Sequence, residues 1–257
     1  MSIKTAFKPK DRKFNLKMLF AGNSGTGKTE LAGSYTIGPT HFYMIDKGGE
    51  KTLEKNKAGR KEKDPILSVD NMSSNEIKFS DFWNQLQQDD KDGFFNYLAE
   101  ENGLLVIDSI TSLNAKALRE ISDLNQVNPN SIGKPLNQKK AMAPAYYGQL
   151  LNWMNALTST LQELPCAVIA TVHIHVLMNS QQEVIARYPS VNGQFRQLIA
   201  VDFDEAYLLE TRGSQHKTYF KEVNKFEAKS RCFSMKEKID LNLNDLAKAY
   251  LAGKDVF

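Results

Sequence analysis

One eight-residue segment constrains the fold of this chain more than any other. Gly22–Thr29 has the sequence GNSGTGKT, which fits the pattern G-x-x-x-x-G-K-[ST]. A mainly apolar run, Phe14–Ala21, precedes the segment, and helical spacing of apolar residues resumes from Glu30 to Tyr35. The sequence therefore predicts a strand, a glycine-rich loop and a helix in succession. In that arrangement, backbone N–H groups converge on a polyphosphate.

The residues of this loop are predicted to bind a nucleotide. Lys28 would neutralise the β- and γ-phosphates, and the hydroxyl of Thr29 would hold Mg²⁺. An ordinary glycine-rich turn is the alternative, but it does not require a lysine and a threonine at these positions. The predicted cofactor-binding residues are Gly22, Asn23, Ser24, Gly25, Thr26, Gly27, Lys28 and Thr29.

A second acidic ligand for the metal is predicted at Asp108. It follows the apolar run Leu104–Ile107, so it lies at the carboxyl end of a predicted strand, where α/β proteins form ligand sites. Capping of the next helix is an alternative role, and the two roles are compatible. Ser109 rather than Glu comes next. The residue that activates water is therefore expected elsewhere, near the end of the second predicted strand, at Asp46 or Glu50.

The rest of the chain predicts a single α/β domain of 257 residues. Within it we distinguish a basic arm over 1–13, a core over 14–231 and a tail over 232–257. Segments 125–144 and 174–196 have mixed polar composition and are predicted to be loops or irregular segments. Cys166 and Cys232 are the only cysteines, which excludes a disulfide framework and a cysteine-rich zinc site.

Charge and hydropathy restrict the partners and the compartment. Lys and Arg number 33 and Asp and Glu 30, a formal net charge of +3 that by itself favours neither a nucleic-acid nor a membrane partner. No apolar run approaches the roughly 20 residues of a membrane-spanning helix. The N-terminal residues lack the apolar core of an export signal. We expect a cytoplasmic protein without a membrane partner.

Four segments in order, GNSGTGKT, FYMIDKGGE, LLVIDSITSL and VIATVH, resemble the RecA-type ATPase core. The resemblance is greatest to phage-encoded RecA-like nucleotide-binding proteins described as single-strand annealing proteins. It runs from about Phe14 to Arg231 and includes PSVNGQFRQLIAVDFDEAYLL and FEAKSR. It implies a P-loop NTPase core with a mostly parallel central sheet, helices on both faces and a strand-rich C-terminal part. ATP and Mg²⁺ would be the cofactors, and a phage-encoded protein would act in the host cytoplasm.

The resemblance also implies roles for individual residues. RecA-type enzymes carry a water-activating Glu shortly after the second strand, but Gly48 stands two residues after Asp46 here. Asp46 or Glu50 would take its place, and a hydrolytically slow enzyme remains an alternative. His173 ends a predicted strand, where the family places a polar residue that senses the γ-phosphate.

Lys229-Ser230-Arg231 resembles the K-x-R element that RecA-like and hexameric-helicase assemblies project into the neighbouring subunit's ATP. Arg231 would stabilise the transition state in trans and Lys229 would assist. Two solvated charges are the alternative. A homo-oligomer, either a ring or a filament, is thus implied.

Single-stranded DNA is the partner that the resemblance implies, bound by loops that follow the strands ending at Asp108 and His173. Ordinary exposed charges are the alternative interpretation of the basic residues there. A single-strand-binding protein or a replication factor would be a further partner. The candidate DNA-binding residues are Lys134, Lys139, Lys140, Arg187 and Arg196.

The resulting hypothesis is a RecA-like ATPase that binds single-stranded DNA in phage-type recombination, annealing or replication. The alternatives are a hexameric helicase-like motor, a loader ATPase acting on a protein partner, and a hydrolytically slow nucleotide switch. A small-molecule kinase on the same scaffold is disfavoured, because the order of acidic and sensor strands fits the RecA layout better.

Overall fold

The computed structural model describes residues 12–128, 140–141, 144–212, 215–221, 226–233 and 238–254. The strands are β1 (Lys17–Ala21), β2 (Thr40–Met44), β3 (Leu67–Asn71), β4 (Leu104–Asp108), β5 (Val127–Asn128), β6 (Lys140–Ala141), β7 (Ala167–Val172), β8 (Ile174–Met178), β9 (Val184–Pro189), β10 (Glu205–Arg212), β11 (Gln215–Tyr219), β12 (Lys229–Ser230) and β13 (Lys238–Ile239). The helices are α1 (Lys28–Gly33), α2 (Gly49–Gly59), α3 (Phe79–Lys91), α4 (Phe94–Glu100), α5 (Ile110–Leu124), α6 (Pro144–Glu163), α7 (Phe195–Asp202) and α8 (Leu243–Ala252).

A nine-stranded sheet forms the centre of the described structure, in the order β13-β11-β10-β1-β7-β4-β2-β3, with β12 also paired to β10. Every neighbouring pair from β3 to β10 is parallel, and β11, β12 and β13 pair antiparallel. The predicted fold class, a mostly parallel sheet with a strand-rich C-terminal part, is confirmed. Because β1 lies inside the sheet, the loop that follows it opens between β7 and β10.

Alternate residues of β1 face two different hydrophobic clusters. Leu19 and Ala21 pack in a cluster with buried residues of α3 to α7, whereas Met18 and Phe20 pack with residues of α1, α2 and α8. Helices therefore cover both faces of the sheet. This double burial explains why the predicted strands are continuous apolar runs rather than alternating ones.

Two segments have more regular structure than the sequence predicts. Segment 174–196 contains the antiparallel hairpin β8–β9 and the first residues of α7. Both strands of the hairpin carry neighbouring apolar residues, Val176–Leu177 and Val184–Ile185, and nearly all of their residues are half-buried or exposed, so the sequence lacks the clean apolar–polar alternation that marks a strand. In the segment assigned to a tail, α8 buries Leu243, Leu246 and Ala247 against the core. Their spacing is that of one helix face.

None of the helices in the described ranges is both long enough and apolar enough to cross a membrane.

Lys17, the first residue of β1, is buried at 5% exposure. Its ammonium donates hydrogen bonds to the carbonyls of Leu164, at 2.7 Å, and Cys166. Burial lowers the pKa of Lys17 to about 8, from an ordinary value of 10.5. Between about pH 8 and pH 10.5, Lys17 is largely protonated in the unfolded chain and largely neutral in the folded one. Its contribution to the free energy of unfolding therefore rises with pH over this interval.

We compare the free energy of unfolding of the wild type with that of Lys17→Met. As the pH rises from about 8 to 10.5, we expect this difference to change by up to about 3 kcal/mol in favour of the wild type. Urea denaturation across pH 7–11 measures this difference. Lys55→Met serves as the matched control, because the side chain of Lys55 is 76% exposed. Parallel pH curves for the wild type and Lys17→Met would contradict the prediction.

Candidate functional site

A cavity of about 420 Å³ opens at the carboxyl ends of the parallel strands. It is lined by residues 24–30, by residues 46–49 and 52, and by Asp108 and His173. Ligand sites in open α/β sheets form at this edge. The volume lies within the range of small-molecule and cofactor pockets, roughly 300–1,000 Å³.

Lys28 lies at the base of the glycine-rich loop and is buried at 6% exposure. Its Nζ donates to the carbonyl oxygens of Gly22, at 2.7 Å, and Asn23, at 2.8 Å. Gly27 precedes α1 with φ of 85°, a left-handed conformation that favours glycine. Burial lowers the pKa of Lys28, although the charges of Asp108 and Asp46 oppose that shift. The loop thus holds a cation whose carbonyl partners a phosphate could replace.

Asp108 lies beside this cation, 2% exposed. Thr29 Oγ1 donates to Asp108 Oδ2 at 2.6 Å, and Thr171 Oγ1 on β7 donates to Asp108 Oδ1. Burial raises the pKa of Asp108, while these two hydrogen bonds lower it. Carboxylate and hydroxyl oxygens are the ligands that Mg²⁺ prefers. Thr29 and Asp108 therefore form a donor set that fits this ion beside the loop.

Asp108 does not cap helix α5. Ser109 is the N-cap of α5, and its side chain accepts a hydrogen bond from the backbone N–H of Ser112. The carboxylate of Asp108 therefore contacts Thr29 and Thr171 rather than the first turn of α5.

Asp46 lies in the turn after β2 and accepts three side-chain hydrogen bonds. His173 Nε2 lies 2.9 Å from Asp46 Oδ2, and Ser109 Oγ donates to Asp46 Oδ1 at 2.8 Å. Ser112 Oγ donates to the same oxygen. Burial opposes ionisation, but the hydrogen bonds from His173, Ser112 and Ser109 hold the pKa of Asp46 below its usual value. A carboxylate in this state is a weak base, better suited to orienting a water molecule than to removing its proton.

Glu50, the other candidate for activating water, lies in the first turn of α2 with its side chain exposed. Its carboxylate accepts a hydrogen bond from Asn71 Nδ2 on β3, and Glu50 is not among the residues that line the cavity. The structure therefore brings Asp46, and not Glu50, to the site.

Lys229 and Arg231 lie in or next to β12, which pairs with β10 at Glu205 and Ala206. This is the amino-terminal end of β10, at the edge of the sheet opposite the cavity. Lys229 Nζ and Arg231 Nη2 both donate to the carbonyl of Val201, at 2.9 and 3.1 Å. The two cations are adjacent to each other and remote from the cavity of their own chain.

The DNA-binding candidates have different surroundings. Arg187 forms an ion pair with Glu210, and both side chains are less than one-fifth exposed, at 19% and 16%. The guanidinium of Arg196 lies 4.5 Å from the centre of the Tyr188 ring, which stacks on His175 with ring centres 5.3 Å apart. Lys134 and Lys139 lie outside the described residues. For Lys140 the described part is its place in β6.

Sequence reasoning missed three hydroxyl groups of this site, on Thr171, Ser109 and Ser112. Thr171 is the one polar side chain in the buried strand β7, and that isolated hydroxyl was the available signal. The two serines frame the start of α5 and face Asp46 only because β4 and β2 are neighbours in the sheet.

Comparisons with known proteins extend this description. A family model described as an AAA domain matches residues 14–232. A search of curated proteins finds no match.

Among solved structures, the chain is similar to an ATPase from the type III secretion system of pathogenic bacteria. The identity is 15% over 77% of this chain and 52% of that chain, and the TM-score is 0.46. It is also similar to a KaiC-like protein from the archaeon Pyrococcus horikoshii, with 14% identity over 79% of this chain and 76% of that chain and a TM-score of 0.39. A third is the assembled ATPase EscN from the type III secretion system of enteropathogenic E. coli, with 15% identity, 76% and 43% coverage and a TM-score of 0.42. The chain spans about half the length of the first of these structures. At such identities and TM-scores these likenesses carry no functional argument.

Proposed function

Because this chain belongs to the AAA domain family, we propose that it is an oligomeric, Mg²⁺-dependent ATPase whose nucleotide state controls binding of single-stranded DNA. One observation carries the proposal: His173 contacts Asp46 inside the nucleotide cavity and is the residue immediately before the hairpin β8–β9. A change at the terminal phosphate can therefore reach the hairpin through a single side chain.

Nucleotide binding would use the loop and the two ligands beside it. Lys28 would exchange the carbonyls of Gly22 and Asn23 for phosphate oxygens, and Thr29 and Asp108 would hold Mg²⁺. The ion would neutralise charge on the β- and γ-phosphates. Asp46 would orient the attacking water. Because Gly48 stands where the resemblance predicts a Glu, we expect slow intrinsic turnover.

The backbone of His173 supports the coupling. Its N–H donates to Thr111 Oγ1 at 3.0 Å, and its carbonyl accepts from the N–H of Ser190 at 2.7 Å. Ser190 follows the end of β9, so both ends of the hairpin meet at this one residue. If the ring of His173 leaves Asp46 for a terminal phosphate, the base of the hairpin must adjust. In other nucleotide-dependent switches, a segment is ordered while the γ-phosphate is bound and becomes disordered when the phosphate is released.

The hairpin also carries groups that suit a single strand. His175 is exposed and stacks on Tyr188, whose ring contacts the guanidinium of Arg196. Aromatic rings stack on bases irrespective of sequence, and an arginine contributes charge and cation–π contact. Arg187 already forms an ion pair with Glu210, so Arg196 is the better DNA-binding candidate of the two arginines. Recombination or annealing is the role that the resemblance favours.

Oligomerisation is part of the proposal because Lys229 and Arg231 are remote from their own cavity. Cations at the opposite edge of the sheet can serve catalysis only in a neighbouring subunit. Their shared contact on the Val201 carbonyl holds the two side chains together, with Lys229 half-buried and Arg231 exposed, so both could contact a neighbouring subunit.

The test measures anisotropy of a labelled single-stranded oligonucleotide with and without Mg²⁺ and a non-hydrolysable ATP analogue. In the wild type we expect the nucleotide to change DNA affinity by about tenfold or more. His173→Ala should reduce this response to less than about twofold, because the link from Asp46 to the hairpin is lost.

Tyr188→Ala is the companion variant. We expect it to weaken DNA binding by about tenfold with or without nucleotide, and to retain the nucleotide response. An unchanged response in His173→Ala would contradict the coupling. Intact ATP hydrolysis without DNA binding at low salt would favour the motor or loader acting on a protein partner.

A further inference from the structure

Three side chains meet at the outer part of the sheet, away from the nucleotide cavity. They are His41 on β2, Asp70 on β3 and Asp89 on α3. A ring nitrogen of His41 and one oxygen of each carboxylate all lie within 4.8 Å of one another. The three residues are far apart in sequence and are brought together by the pairing of β2 with β3 and by the packing of α3.

His41 directs an unpaired nitrogen into this group. The residue is 6% exposed, and its Nε2 has no hydrogen-bond partner among the residues that the structure describes. Asp70 Oδ2 is 3.6 Å from Nε2, beyond hydrogen-bond distance. A buried polar atom without a partner costs stability and needs an explanation. Binding of an ion between Nε2 and the carboxylates supplies one.

The ring of His41 is held with Nε2 in this direction. Its Nδ1 lies 2.8 Å from Ser68 Oγ, which lies 3.5 Å from the carbonyl of Thr40. A proton on Nδ1 leaves the lone pair on Nε2, as in metal-binding histidines, where the second nitrogen is bound by an outer partner. The rings of Tyr43 and Phe94 pack edge-on against the imidazole, with centres 4.9 and 5.0 Å away.

Asp89 is oriented in the same manner. Tyr43 donates its hydroxyl to Asp89 Oδ2, and Gln85 Nε2 donates to Asp89 Oδ1 at 2.8 Å. Each carboxylate oxygen keeps a further lone pair for a metal. The side chain of Asp70 is 44% exposed, so one side of the group is open to solvent and allows an ion to enter.

We propose that His41, Asp70 and Asp89 bind a divalent transition-metal ion, of which Zn²⁺ is the best fit. One imidazole nitrogen and two carboxylate oxygens are typical ligands of Zn²⁺, with water completing the coordination. Mg²⁺ and Ca²⁺ prefer oxygen ligands alone. The bound ion joins β3, at the edge of the sheet, to β2 and α3. It is independent of nucleotide and of the Mg²⁺ site at Thr29 and Asp108.

The test uses the full chain without nucleotide, stripped with chelator and then titrated with Zn²⁺ against a chromogenic chelator. Co²⁺ serves as a spectroscopic probe for the same site. We expect one site in the wild type. Asp70→Asn, at a half-exposed position that tolerates the change, should weaken Zn²⁺ binding at least about tenfold, and Tyr43→Phe should weaken it about tenfold.

Thermal unfolding gives a second measurement. With free Zn²⁺ about a hundredfold above its Kd, the Tm of the wild type should rise by about 5–10 °C, and that of Asp70→Asn should not rise. Asp64→Asn is the matched control, because Asp64 is also partly exposed and lies outside the group. Its response should equal that of the wild type.

Two results would overturn the site. Equal Zn²⁺ affinity in the wild type and Asp70→Asn would show that these residues do not hold the ion. Loss of binding in Asp108→Asn with retention in Asp70→Asn would place the ion in the nucleotide cavity instead.

Discussion

Lys28→Ala is expected to weaken ATP binding by about 10²–10³-fold. The ammonium of Lys28 is buried beside the loop carbonyls, and Lys28 lines the cavity. Removing one member of a buried charge pair costs about 3–5 kcal/mol, because the other charge is left without compensation. A triphosphate bound in the absence of Lys28 would be such an uncompensated charge.

Calorimetry with Mg²⁺ and a non-hydrolysable ATP analogue measures this loss. Lys55→Ala is the control, since the side chain of Lys55 is 76% exposed, is paired with Glu30, and does not line the cavity. Lys28→Arg separates charge from shape: the guanidinium keeps the charge but cannot occupy the compact position of the ammonium, so weak binding is expected. Circular dichroism confirms that each variant is folded. Equal affinity in the wild type and Lys28→Ala would refute the nucleotide site.

Arg231→Ala is expected to leave ATP binding intact and to lower turnover by about 10³-fold. The side chain lies on the Val201 carbonyl at the edge of the sheet opposite the cavity. It therefore contributes nothing to the ground-state binding of nucleotide in its own chain. A cation that reaches a neighbour's γ-phosphate stabilises the charge that develops in the transition state. Phosphate release, measured at saturating ATP, separates the two effects.

Mixing two inactive variants decides whether Arg231 acts in trans. Lys28→Ala keeps Arg231, and Arg231→Ala keeps the glycine-rich loop. Random assembly of equal amounts should restore about one quarter of the interfaces, each with a functional loop and a functional arginine. The double variant Lys28→Ala/Arg231→Ala, mixed with Arg231→Ala, should restore none. Absence of recovery in the first mixture would contradict action in trans, as would wild-type turnover in Arg231→Ala alone.

The residues of the candidate site differ in how far the sequence predicts them. Lys28 and Thr29 belong to a contiguous motif whose spacing already states their chemistry. Asp108 follows an apolar strand, and the carboxyl ends of parallel strands meet at one edge of a sheet. Glu50 is only four residues from Asp46, yet the first turn of α2 directs it to Asn71 on β3. The direction of a side chain after a turn depends on backbone angles that the sequence pattern does not contain.

The hydroxyl groups around the two carboxylates could not be predicted from spacing. Thr171 reaches Asp108 because β7 lies next to β4, and Ser112 reaches Asp46 because β4 lies next to β2. The same argument applies to His41, Asp70 and Asp89, which no sequence motif connects.

Short-range physics thus determined the elements of this protein. The glycine-rich motif and the spacing of apolar residues extend over only a few residues, so the loop at 22–29, the helix after it and the strands that lead to Asp46, Asp108 and His173 could be predicted from the chain alone. Tertiary structure decided which side chains meet across them. Strand order is set by the packing of distant segments, and that packing paired His173 with Asp46 and separated Arg231 from its own cavity.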